Sequence, residues 1–167
     1  MSHCSPQFLP GPGTFFFTVR LKDAGGDLLT RHIDLLRLSV RLCQFRHPFT
    51  IEDAVVLPDR LHTIWTLPRG DQDHAVRWQL IKTTFARHIP HAAAQGPGLA
   101  LWQRRVWEQP IANAMDLLEC RNLIRGAPVH AGLVTDPDDW PYSLASRAGR
   151  PDRDAHVMHL RVINGGR

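Results

Sequence analysis

Two runs rich in β-branched and aromatic residues, Phe49 to Leu57 and Leu61 to Leu67, are separated only by Pro58-Asp59-Arg60 and closed by Pro68-Arg69-Gly70. So short a break between two extended segments predicts an antiparallel hairpin. A stretch of helical period lies on each side of it. From about Thr30 to Phe45, the residues Ile33, Leu36, Val40 and Cys43 fall on one stripe, with Arg37 and Arg41 on another face. His47-Pro48 stops that helix, because the residue before proline is pushed out of the α region. From about Asp73 to His88, Val76, Leu80, Ile81, Thr84 and Phe85 form a second stripe, ended by Pro90 and the loose AAAQGPG segment.

Three further elements complete the order. Thr14 to Leu21 (TFFFTVRL) follows a Gly-Pro-Gly turn signal and reads as a strand, its three consecutive Phe implying burial on both faces. Leu101 to Trp107 is the fourth strand candidate, and Asn113 is the N-cap of a third helix running to about Arg125. The order strand, helix, strand, strand, helix, strand, helix predicts an α+β fold of the ferredoxin-like split βαβ type. Such a fold has an antiparallel sheet with helices on one face, here with an added C-terminal helix. The 167 residues suit one domain, placed at 1–147, with 148–167 expected to be a poorly ordered tail.

Charge and cysteines narrow the classes of function. Lys+Arg 20 against Asp+Glu 16 gives a net +4, and all the basic residues but Lys22 and Lys82 are Arg, whose planar fork suits phosphate oxygens. Cys4, Cys43 and Cys120 are too widely spaced for a zinc pair or a disulfide framework, which fits a reducing compartment. The first residues show no basic stretch leading into an apolar one, and no run approaches the roughly 20 apolar residues that span a bilayer. The expectation is a cytoplasmic protein with no membrane partner.

At Leu57 to Pro68 the sequence LPDRLHTIWTLP resembles the REP-associated tyrosine transposases, small single-strand DNA transposases of the histidine-hydrophobe-histidine class. Further segments resemble the same family in the same order: PGTFFFTV at Pro12 to Val19, HPFTI at His47 to Ile51, the W-x-L-I-K-x-x-F-x-R pattern at Trp78 to Arg87, WQRRVWE at Trp102 to Glu108, PVHAGLV at Pro128 to Val134 and DDWPYS at Asp138 to Ser143. The resemblance spans nearly the whole chain to about residue 147. It implies binding of imperfect hairpins and adjoining single strands from repetitive extragenic palindromes, with magnesium-dependent cleavage by a helix-borne tyrosine.

The positions that the family's chemistry uses are altered here. The resemblance places its two strand histidines at Arg60 and His62, alternate residues of one strand face. A guanidinium stays protonated and has no lone pair for a metal. Aligning on PVHAGLV puts the family's nucleophilic Tyr at Leu123 and its helix Asn at Ala127, on one helical face. The chain's single tyrosine, Tyr142, lies in WPYS beyond that helix. The expected function is therefore recognition of hairpin or single-stranded DNA with strand cleavage lost, and no cofactor. One alternative is an active transposase using Tyr142 or a rearranged site with Mg2+, for which His62 is the surviving ligand; the other is a decayed remnant that binds nothing.

For DNA contacts the resemblance and the basic pattern single out Arg60, Lys82, Arg87, Trp102, Arg104 and Arg105, with Arg77 beside Lys82 on the second helix. Strand alternation sends Trp102 and Arg104 to one face and Arg105 and Trp107 to the other. The remaining histidines, among them His74, His88, His91, His156 and His159, match no metal motif. Monomer and homodimer both remain open.

Overall fold

The computed structural model describes residues 12–90 and 101–144; the expected tail, Cys4, His91, His156 and His159 lie outside the described residues. The hairpin forms as expected, β2 (Thr50–Val56) against β3 (Arg60–Thr66), with a register shift between Ile51 and Asp53. β1 (Thr14–Arg20) pairs antiparallel with β3 along its whole length, from Thr14 opposite Thr66 to Arg20 opposite Arg60. β4 (Trp107–Pro110) adds to the outer side of β1, giving the sheet order β2-β3-β1-β4. That order, with every pair antiparallel, is the ferredoxin-like arrangement.

One sheet face carries α2 (Ile33–Arg46), preceded by the single turn α1 (Leu28–Arg31), and α3 (His74–Arg87). Their apolar stripes close over Phe17, Val19, Leu61 and Trp65. Trp65 is the centre of this layer, stacked on Trp78 at 4.1 Å between ring centroids and tilted against Phe49 at 4.1 Å. Asp73 caps α3 by accepting from Val76 N. Arg77, 2% exposed, is the clamp between the two helices: its guanidinium binds Asp71 at 2.6 Å and donates to the carbonyls of His47, Pro48 and Asp73. Arg77 is thus unavailable to a phosphate track, contrary to the sequence expectation.

α4 (Ala114–His130) packs on the other face, burying Leu117, Cys120, Ile124 and Ala127 against Phe16, Val55 and Ile64. Most of its strand contacts are with β2 and β3, so this face is covered in part rather than left open. Asn113 caps α4 by accepting from Asp116 N while Asp116 accepts from Ala112 N, so the two side chains satisfy donors at the helix start. The helix runs past Pro128 to His130, beyond the expected end near Arg125. It is closed by Gly132 at φ 72°, with Gly132 N donating to Val129 O and Leu133 N to Pro128 O. This is a Schellman closure, which needs a left-handed residue. Among the described residues no helix is long and apolar enough to cross a membrane.

The fourth strand is displaced from its expected place at Leu101 to Trp107. Leu101 to Gln103 do continue the ladder beside the end of β1: Leu21 bridges Trp102, Lys22 N donates to Leu101 O, and Gln103 N donates to Arg20 O. The ladder resumes with Thr18 opposite Trp107. Between these pairings Arg104, Arg105 and Val106 stand against the single residue Val19, so the chain bulges outward from the sheet edge.

Candidate nucleic-acid interface

The part of the second face that α4 leaves free holds a cavity of about 420 Å³ walled by Phe16, Thr18, Arg20, His62, Gln103, Arg105, Trp107 and Leu123. Strand alternation explains the set. Phe16, Thr18 and Arg20 share one face of β1, and their partners Ile64, His62 and Arg60 share the same face of β3. Trp107 enters from β4 opposite Thr18, and Leu123 from the exposed side of α4. The structure therefore brings His62 and Leu123, far apart along the chain, to one cavity.

His62 is 8% exposed, and its Nδ1 lies 2.8 Å from Thr18 Oγ1. Its ring stacks on Phe16 at 5.9 Å and 10°. Burial, reinforced by the cations of Arg60 and Arg20, pushes its pKa down to about 4, so the imidazole is neutral at neutral pH. Arg60 is half-buried directly across from Arg20, a juxtaposition of like charges that costs energy unless an anion offsets it. Its Nε is buried and makes no hydrogen bond; the Asp59 carboxylate stands 3.5 Å away as an ion pair without hydrogen-bond alignment.

These residues do not suit a divalent ion. One imidazole, already engaged by Thr18, faces two fixed guanidiniums, and no cluster of three or more His, Cys, Asp or Glu that could hold a metal occurs among the described residues. The arrangement suits an anion instead. Guanidiniums of Arg20 and Arg105 in the cavity walls, with Arg60 across the strand pair from Arg20, offer charge-assisted contacts to phosphate oxygens. Trp107, 51% exposed and edge-on to Phe16 at 5.7 Å, offers an aromatic surface to a base.

The remaining candidates are placed as follows. Ala127 is buried on the inner face of α4, in the second core. Tyr142 lies at the β2 edge, half-buried, T-shaped against Trp140 at 5.4 Å, with its carbonyl accepting from Val56 N. It lines a separate, largely apolar groove of about 340 Å³ between α2 and β2, which also reaches His62. Trp102 is 1% exposed, packed edge-on against Phe85 and donating its indole N–H to Lys82 O, so it presents no ring face to a base. Lys82 is buried, whereas Arg87, Arg104 and Arg105 are exposed. Arg105 and Trp107, set on one face by strand alternation in the sequence, do line one cavity, whereas Arg20 escapes a reading of the sequence for site residues; the available signal is the β1 alternation, which sets Arg20 in line with Thr18 and Phe16.

No family model matches the chain. It is 39% identical over 148 residues to the REP-associated tyrosine transposase of Escherichia coli (strain K12), with 88% of this chain and 84% of that protein covered. A Haemophilus influenzae protein assigned to the same group is 33% identical over 154 residues, covering 88% of this chain and 87% of its own length. The fold is similar to the solved structure of a REP-associated tyrosine transposase bound to a REP hairpin, with a TM-score of 0.72, 35% identity, and 90% of this chain and 89% of that chain covered.

Proposed function

Because the chain belongs to the REP-associated tyrosine transposases, we propose that it grips hairpin DNA and the adjoining single strand of repetitive extragenic palindromes without cutting them. The observation that carries this reading is the cavity in which Leu123 and His62 meet beside the Arg20 and Arg60 pair. Cleavage by the family's route needs an attacking oxygen on α4, and Leu123 supplies none. It also needs a cation on the phosphate, and Arg60 has no lone pair with which to hold one. What the cavity retains is the capacity to bind: the guanidiniums of Arg20 and Arg105 for the phosphate and Trp107 for an unstacked base. Arg60, paired across the strands with Arg20 and acting on His62, adds a permanent positive charge beside the cavity, so in this reading the strand is held by the protein's own cations.

The relative in the solved structure carries a REP hairpin, which sets the class of ligand to test first. The experiment is equilibrium binding of a labelled hairpin with an unpaired extension, over a series of salt concentrations. Specific association is expected, its log affinity falling linearly with log salt. Affinity no greater than for a scrambled single strand at low salt overturns the reading and leaves a fold without its ligand.

A further inference from the structure

The bulge at Arg104–Val106 divides two cavities. Arg105 lines the one that contains His62, and Arg104 lines another of about 680 Å³ between α3 and the β4 edge; Gln103 borders both. The second cavity is built around a buried charge. Lys82 is 5% exposed, and its Nζ donates to Gln103 O at 3.0 Å. An ammonium carries three donors, so one carbonyl leaves it underused. Lys22 and Arg104 add two exposed cations to the same walls. The wall's carboxylate, Glu108, is held by His74 Nδ1 at 3.1 Å. Trp78, also in the lining, has a buried indole N–H with no acceptor among the described residues.

We propose that this cleft is a second phosphate subsite, receiving the backbone of an unpaired DNA strand that crosses the Arg104–Arg105 bulge from the His62 cavity. The inference rests on the DNA-binding reading above and extends it across the sheet edge. A buried ammonium with one neutral acceptor is costly, and a phosphate oxygen supplies both the missing acceptors and the countercharge. Burial also holds the Lys82 pKa below the usual lysine range, a strain that an anion relieves. The latch between the elements explains why the cation stays in place: Lys82 donates to Gln103 O while Trp102 donates back to Lys82 O. Consecutive arginines of the bulge line different cavities, so a strand passing over the edge engages them in turn.

The test compares a blunt hairpin with the same hairpin carrying an unpaired extension, using the wild type and a Lys22→Ala, Arg104→Ala double variant. Both side chains are exposed, so the core is untouched. The extension is expected to tighten wild-type binding, and the double variant to lose most of that advantage. Its salt slope on extended DNA should be shallower by about 1 for each phosphate contact removed. An unchanged advantage and slope overturn the subsite while leaving hairpin binding standing. Failure of the wild type to bind either hairpin overturns the DNA-binding reading and the subsite with it. Saturable binding of a deoxynucleoside monophosphate, lost in the double variant while the extension advantage persists, assigns the cleft to a free nucleotide and overturns the strand proposal.

Discussion

Thr18 and His62 stand directly opposite one another on β1 and β3, joined by a 2.8 Å contact between Oγ1 and Nδ1 at the floor of the His62 cavity. The contact fixes the orientation of an imidazole that burial keeps neutral. Because the folded-state pKa is about 4 against 6.5 for a free imidazole, protons favour the unfolded chain. The His62 contribution is complete above pH 6.5 and is lost as pH falls through about 4, with a magnitude of roughly 3 kcal/mol. Denaturant melts of the wild type and His62→Gln from neutral pH down to about 4 check this: the wild type should lose stability more steeply, and parallel curves would refute it.

Arg60 and Arg20 face each other across the same two strands and both depress His62. Arg60→Ala should therefore act in two ways. It should weaken hairpin binding and reduce the salt slope by about 1, and it should raise the His62 pKa, followed by NMR titration of the imidazole. Loss of binding without movement of the pKa would place Arg60 outside the pocket's field.

Trp107 is the exposed aromatic of the cavity. Trp107→Ala should cost about 1–3 kcal/mol of binding to DNA with unpaired bases, with little effect on folding since the ring is half in solvent. Competition binding against the wild type checks the size. An equal loss on fully paired duplex would rule out base stacking.

Arg77 tests the scaffold rather than the site. Removing its guanidinium in Arg77→Met strands the carbonyls of His47, Pro48 and Asp73 and frees Asp71, whose pKa is held down to about 2 chiefly by its hydrogen bond with Arg77. A loss of about 2–4 kcal/mol is expected in chemical denaturation from the stranded carbonyls. The Asp71 contribution is present above pH 3.8 and disappears as pH falls through about 2, so acid melts of the variant should lack that step. Unchanged stability would show that the clamp contributes nothing.

The hairpin, both helices over it and the cap Asn113 were legible because period, turn chemistry and cap residue agree locally; that Asp73 caps α3 came only with the structure. The course of β4 was not. Trp102 begins a ladder that Arg104–Val106 interrupts, and a bulge leaves no periodic trace in sequence. The end of α4 lies past its expected place near Arg125, because Pro128 is accommodated within the helix and Gly132 closes it. Arg77 was expected beside a phosphate track; its burial, like that of Lys82, arises from elements far along the chain, which helical period does not show. His62 and Leu123 were legible as a pair through the family resemblance, yet their meeting in one cavity depends on α4 folding back across the sheet, which no local pattern encodes.

The most direct measurement of binding without cleavage incubates purified protein with an extended hairpin and Mg2+ or Mn2+, then runs the mixture on a denaturing gel beside a native gel. A retarded complex is expected on the native gel and intact DNA on the denaturing one. A covalent adduct or shortened strand that grows with protein, vanishes on chelation and is lost in Tyr142→Phe would contradict it, and would make Tyr142 the nucleophile.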